Sequence, residues 1–188
     1  MANKFPYYPV FVYGTLMSGF SNHKKICENV LYDIQYGEFR GGFLCHFIDD
    51  NPKEGFELGY VDILEAKSKS QIAKGELLYF KKDNSYDTIK KIDKLFGFTD
   101  HKSKNNIYTR KLRYIYDIVG NRVPAFVYIG SDNLHNNIDG KMRLMIPNYT
   151  HWKKFIYDNS ENDYLERNSE NDYLGRNSEL YPFSELKV

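Results

Sequence analysis

The sequence predicts a single α+β domain. Short β-prone apolar runs stop at glycine turns, one segment has clear helical periodicity, and 188 residues fit one domain with a core of ordinary size. Residues 1–158 are assigned to that domain and residues 159–188 to a C-terminal extension.

Val10-Phe11-Val12-Tyr13 reads as a buried strand entering a tight turn at Gly14. Ser21 or Asn22 is placed to cap a helix running to about Tyr32, with Ile26, Val30 and Leu31 on its apolar face. Between Gly37 and Lys74 glycines and an Asn-Pro pair punctuate two strand candidates, Phe43 to Ile48 and Phe56 to Ile63. Ala73 to Phe80 is a further strand, bounded by the turn-forming Lys-Lys-Asp-Asn.

The clearest helix follows. Tyr86, Ile89, Ile92, Leu95 and Phe96 recur at three- and four-residue steps, Asp83, Asn84 or Ser85 can cap it, and Gly97 stands where helices end. Tyr108 to Ile118 and Ala125 to Ile129 are strands returning through Gly120-Asn121. Thr150 caps a last short helix that docks Trp152, Phe155 and Ile156. Beyond it, Asn159 to Arg167 is repeated almost letter for letter as Asn168 to Arg176. This polar nine-residue duplication, with one Tyr-Leu pair per copy, cannot bury a core of its own. It reads as an appended tail, the alternative being that each Tyr-Leu pair contacts a partner or another subunit.

Composition narrows the function. Lys and Arg number 26 against 25 acids, for a formal charge of +1, and the short clusters Lys81-Lys82, Lys90-Lys91 and Arg110-Lys111-Arg113 form no phosphate-tracking stripe, so no nucleic-acid partner is expected. No apolar run reaches the ~20 residues of a membrane span and no secretory signal is read at the start, so a cytoplasmic protein with no membrane partner is expected. Cys27 and Cys45 have no metal-ligand or redox spacing and are expected as buried thiols. The five histidines have neither metal spacing nor a linked nucleophile; no metal and no cofactor is expected.

Five blocks carry a resemblance: Val12-Tyr13-Gly14-Thr15-Leu16, Gly75 to Tyr79, Ile92-Asp93-Lys94-Leu95-Phe96-Gly97, Tyr108-Thr109-Arg110, and Ala125 to Tyr128. In order and spacing they resemble the γ-glutamylcyclotransferase-like family, with its AIG2-like and butirosin-pathway relatives, over residues 9 to 130. The resemblance implies a small mixed β-barrel with flanking helices and enzymes that release 5-oxoproline from γ-glutamyl compounds. It also implies one cavity surrounded by Tyr13, Gly14, Thr15, Leu16, the Asp93 to Gly97 segment, Tyr108 and Tyr128.

In that chemistry the substrate's own α-amine attacks its γ-carbonyl, so proximity is built in and the protein must hold and deprotonate. A turn of converging backbone N–H groups suits the α-carboxylate, and Gly14 permits close approach. The resemblance implies a glutamate as general base in a pattern like Leu-Asp-x-x-Glu-Gly. Here Phe96 stands at that position, pinned by Asp93 and Gly97. Phenylalanine accepts no proton, so the expected function is a pocket for a γ-glutamyl or amino-acid-like small molecule without catalysis; the alternative is an active cyclotransferase with Asp93 as relocated base. For Tyr108 and Tyr128, ligand hydrogen bonding and aromatic packing both remain open. Glu76 is expected to face solvent, and Arg110 to meet a surface carboxylate or an anionic ligand.

Overall fold

The computed structural model describes residues 8–47, 60–66, 70–137 and 143–145. Its elements, in chain order, are β1 (Val10–Val12), α1 (Ser21–Ile26), β2 (Leu31–Arg40), β3 (Gly42–Phe47), β4 (Tyr60–Glu65), β5 (Ile72–Phe80), α2 (Ser85–Leu95), β6 (Tyr108–Asp117), β7 (Arg122–Gly130), α3 (Asp132–Asn137) and β8 (Arg143–Met145). All belong to the compact unit Met1–Phe155. The helix expected after Thr150 and the repeat tail lie outside the described residues.

Five strands close into a barrel in the order β1-β5-β2-β6-β7, and β4-β3-β8 form a separate sheet. The short β1 closes the barrel, pairing antiparallel with β5 (Phe11 opposite Leu77) and parallel with β7 (Phe11 opposite Val127). Because strand side chains alternate in direction, β1 serves two cores. Phe11 packs inside the barrel, where with Leu77 and Ile115 it crowds the Cα of Gly37. Val10 and Val12 point the other way, into a cluster with Leu16, Met17, Leu78, Phe80, Ile92, Tyr108 and Tyr128 that α1 and α2 help to cover.

Three sequence expectations need correction here. Helix α1 ends at Ile26, not near Tyr32, and Leu31–Arg40 is a strand paired along the whole of β5. A bulge between Leu31 and Asp33 breaks the register, and only beyond Tyr36 does the buried alternation of Gly37 and Phe39 appear. The apolar residues at 30 and 31 therefore mimicked a helix face. Capping differs at α1, where Phe20 and not Ser21 or Asn22 is the N-cap; at α2 the N-cap is Asn84, one of the three candidates, and neither cap makes a side-chain capping bond. Of the strand candidate at 56–63, the described part runs instead from Tyr60 to Glu65.

The end of α2 fixes the geometry that matters for function. Phe96 is the C-cap; Gly97 N–H donates to Lys94 O at 3.2 Å and Phe98 N–H reaches back to Asp93 O at 2.8 Å. This is a Schellman closure, which requires a left-handed residue after the cap. Gly97 supplies it with φ of +60°, and a Cβ there would also lie 2.9 Å from Ile107 Cδ1. Asp93 and Phe96 are thus held one turn apart at a rigid helix end.

Candidate functional site

A cavity opens where the β1 turn, the end of α2, the β6 and β7 strands and β4 converge. Its walls are Phe11 to Leu16, Val61, Phe96, Tyr108 and Tyr128. The structure therefore brings Tyr13, Gly14, Thr15, Leu16, Phe96, Tyr108 and Tyr128 to one place. Asp93 is not among the lining residues; it adjoins the site through Tyr128.

The turn is built for close approach. Met17 N–H donates to Gly14 O at 2.9 Å, and a Cβ on Gly14 would lie 2.4 Å from Val61 Cγ1, so only glycine lets the turn press against β4. Side chains brace it from outside: Asn22 Nδ2 donates to Thr15 Oγ1 at 2.9 Å, His23 Nδ1 lies 2.8 Å from Leu16 O, and Glu76 accepts from Ser18 N–H at 2.7 Å and Ser18 Oγ at 2.8 Å. Glu76 is thus a half-buried clamp, not the solvent-facing residue expected. Among the described residues no acceptor is found for the N–H groups of Gly14, Thr15 and Leu16, although Gly14 and Leu16 are buried.

The tyrosine hydroxyls, by contrast, are occupied. Tyr13 donates to Tyr128 O, with Asp62 Oδ1 3.4 Å away, and Tyr108 donates to Val61 O at 2.9 Å. Tyr128 donates to Asp93 Oδ1 at 2.6 Å. Burial, reinforced by the neighbouring carboxylates, pushes the phenols of Tyr13 and Tyr128 far above their usual range, so both stay protonated. Tyr108 and Tyr128 line the cavity with their hydroxyls engaged by protein acceptors.

Phe96 fills much of the space between those rings. It stacks on Tyr128 at 4.6 Å and 15°, and meets Tyr108 edge-on at 4.9 Å and 74°. The volume left to the centre of a water molecule is about 20 Å³, room for about one water.

Behind Tyr128, Asp93 receives Arg110 Nη1 at 2.9 and 2.7 Å. Arg110 was expected at a surface carboxylate or a ligand; its partner is instead this mostly buried aspartate, the two side chains being only 16% and 18% exposed. The guanidinium lies 5.2 Å from the Phe98 ring and 5.0 Å from Phe126. Burial raises the Asp93 pKa, opposed by the Tyr128 hydrogen bond and Arg110.

Sequence reasoning missed Asp62. Its fully buried carboxylate accepts from Ile63 N–H and Gly130 N–H, both at 2.7 Å, tying β4 to the end of β7 beside Tyr13. The available signal was a charge inside the apolar run Tyr60-Val61-Asp62-Ile63-Leu64. Among the described residues no three His, Cys, Asp or Glu side chains converge as a metal site, and no helix is long and apolar enough to cross a membrane. Cys27 and Cys45 are buried and form no disulfide, and burial pushes the Cys27 thiol up to about 12.

The sequence profile of the family described as γ-glutamyl cyclotransferase, AIG2-like, matches residues 10–154. No curated protein matches. Among solved structures, a γ-glutamyl cyclotransferase is 17% identical with a TM-score of 0.48, the match covering 92% of this chain and 94% of that one. YkqA from Bacillus subtilis is 17% identical with a TM-score of 0.44, over 66% of this chain and 36% of that one. Kluyveromyces lactis allophanate hydrolase is 12% identical with a TM-score of 0.50, over 80% of this chain and 21% of that one. This chain therefore spans only about a third of YkqA and about a fifth of the hydrolase. At such identities the likeness to the hydrolase concerns fold alone.

Proposed function

The chain belongs to the γ-glutamyl cyclotransferase, AIG2-like family, and from that membership we propose that it seats a γ-glutamyl or amino-acid-like small molecule at the Gly14 to Leu16 turn without turning it over. The observation that carries this reading is Phe96, whose ring stacks on Tyr128 at the position where a glutamate base is expected. Ring closure of a γ-glutamyl compound needs a proton acceptor for the attacking α-ammonium. Loss of a positioned base forfeits ~10²- to 10⁴-fold in rate. The N–H groups of Gly14, Thr15 and Leu16, which have no acceptor among the described residues, support the seat, since they suit a carboxylate. Room for the rest of the ligand requires displacing the Phe96 side chain from its contacts with Tyr128 and Tyr108.

The test is release of 5-oxoproline from a panel of γ-glutamyl amino acids and amines by the purified chain. The expected result is none above background. A second reading has one observation in its favour: the hydrogen bond from Tyr128 links the cavity wall to Asp93, whose pKa burial has raised. Robust release that Asp93→Asn abolishes would establish that reading and overturn the first.

A further inference from the structure

We propose that the outer wall of the barrel across β7, β6, β2 and β5 is a docking surface for an extended, acidic protein segment with apolar side chains between its carboxylates. The inference stands apart from the seat at the Gly14 to Leu16 turn, since none of the wall's residues lines that cavity.

Strand register defines the wall. Arg122 lies opposite Tyr116, Tyr116 opposite Glu38 and Glu38 opposite Lys74, so these four stand in one row across four strands. Side chains two apart on a strand share a face, which adds Leu112 and Tyr114 on β6 and Tyr36 and Arg40 on β2. The alternate residues Gly37, Phe39, Ala73, Ile115 and Ala125 are buried. On the far side of the barrel the outward residues Val10, Val12 and Leu78 enter the cluster that α1 and α2 help to cover. On this wall the same direction meets solvent: Tyr114 is 56% and Leu112 46% exposed, and the hairpin that ends β6 adds Ile118 at 78% and Val119 at 75%. Exposed apolar side chains grouped in this way mark a contact surface, whereas single ones do not.

Charge selects the occupant. Arg122 lies 4.2 Å from the Tyr114 ring centre, Arg40 4.0 Å from Tyr116 and Lys74 5.9 Å from Tyr36. Resting on the rings orders these cations beside the apolar side chains. The wall's own carboxylate, Glu38, lies 3.4 Å from Arg40, and Glu76, two residues along from Lys74, accepts from Ser18 instead. Three cations against one acid leave the wall positive. A second copy packed face to face across a two-fold axis would set the same cations against each other. A phosphate backbone would meet Glu38 within the row and gain little from Leu112 and Ile118. An acidic peptide with apolar anchors satisfies both features. Neighbouring strands are ~4.8 Å apart, so Arg122 and Lys74 at the ends of the row are about 14 Å apart, and a segment rising ~3.4 Å per residue spans them in about four residues. Carboxylates four apart with an apolar residue midway, all on one face of the segment, fit this spacing.

The experiment titrates the full chain, by fluorescence anisotropy, into the labelled peptide Glu-Ser-Leu-Ser-Glu-Ser-Leu-Ser-Glu. One control has lysine for every glutamate, another serine for every leucine, and a third probe is a 15-nucleotide oligothymidine. The glutamate–leucine peptide should bind at least fivefold more tightly than each of the others, and its binding should weaken at least fivefold in Arg122→Ser and in Tyr114→Ser, whose exposed positions leave the core untouched. Equal binding of the lysine peptide or of the leucine-free peptide overturns the proposal. So does tighter binding of oligothymidine, which would assign the wall to nucleic acid. Sedimentation showing self-association that Arg122→Ser abolishes would assign it to a second copy and overturn it too. Binding indifferent to both substitutions, or no binding of the glutamate–leucine peptide at millimolar concentration, overturns it outright.

Discussion

Replacing Phe96 by glutamate puts the proposed division between seat and catalyst to its sharpest test. The wild-type ring makes one stacked and one edge contact, with Tyr128 at 4.6 Å and Tyr108 at 4.9 Å. Aromatic pairs of this kind contribute about 0.5–1.5 kcal/mol each beyond area burial. Adding the apolar surface of a partly buried ring, Phe96→Glu should cost about 2–4 kcal/mol, below the ~3–5 kcal/mol of truncating a fully buried aromatic. For a chain of this length that lowers the melting temperature by roughly 5–15 °C. The new carboxylate would sit among tyrosine rings with no cationic side chain lining the site among the described residues, so desolvation would raise its folded pKa above the unfolded value near ~4.3. A raised acid pKa makes the folded state relatively most stable below the unfolded pKa. That stability is lost as pH rises through the folded pKa, so the deficit against wild type should be smallest near pH 4 and largest above neutrality. The assay is thermal unfolding of both proteins across that range, alongside 5-oxoproline release from γ-glutamyl amino acids. Slow release by the variant, absent from the native chain, is the expected gain. A deficit that does not change with pH would mean the side chain at 96 faces solvent, and the assignment of Phe96 as the cavity's occluding wall would fall.

Three further outcomes follow from the same geometry. Gly14→Ala should destabilise by about 1–3 kcal/mol because its Cβ meets Val61 Cγ1 at 2.4 Å, and Val61→Ala should recover part of the loss in a double-mutant cycle read by denaturant unfolding. Asp93→Asn should cost about 2–4 kcal/mol, since it leaves the mostly buried Arg110 without its carboxylate, and equilibrium unfolding would show it; a neutral result would mean the pair is solvated. Truncation after Asn159 should leave cooperative unfolding intact, because the polar repeat adds no core; a broad, non-cooperative melt would assign the repeats to the core or to a contact between subunits.

The parts of the fold legible in the sequence were those with a single period and a clean stop. Helix α2 announced itself through Ile89, Ile92 and Leu95 and through Gly97, whose left-handed conformation then proved to be the helix's closing device. The β6–β7 hairpin was marked by Gly120-Asn121, with Gly120 at φ +88° and Asp117 accepting from Val119 and Asn121 N–H. Strand β2 was illegible because its outward residues Tyr32 and Ile34 are apolar yet 66% and 41% exposed, so hydrophobicity there reported the wrong face. Helix α3 and strand β8 are six and three residues long, too short for periodicity to declare itself. At the site, residue types were readable but partners were not. Nothing in the spacing tells that Tyr13 and Tyr108 give their hydroxyls to backbone carbonyls 115 and 47 positions away.

Those partners bear on whether Asp93 can serve as a base, and the balance is against it. To accept a proton from a ligand in the cavity, Asp93 would need a path past Tyr128, whose hydroxyl already donates to it at 2.6 Å. A relay through that phenol requires Tyr128 to pass its own proton on, and its pKa is pushed far upward by burial and by Asp93 itself. Protonating Asp93 would also remove the countercharge of Arg110, held between Phe98 and Phe126 with its Nε buried and unbonded among the described residues. Each proton transfer would therefore uncover a buried cation, a cost of the same order as breaking the pair by mutation, ~3–5 kcal/mol. A group whose ionised form is tied into the packing of α2 on β6 and β7 is placed as a strut. Tyr128→Phe separates strut from base: it should leave the Arg110–Asp93 pair standing and cost about 1–2 kcal/mol for the lost hydrogen bond to a charged group. Any γ-glutamyl turnover that depends on a Tyr128 relay would vanish with the hydroxyl, so activity surviving Tyr128→Phe but not Asp93→Asn would refute this assignment of Asp93.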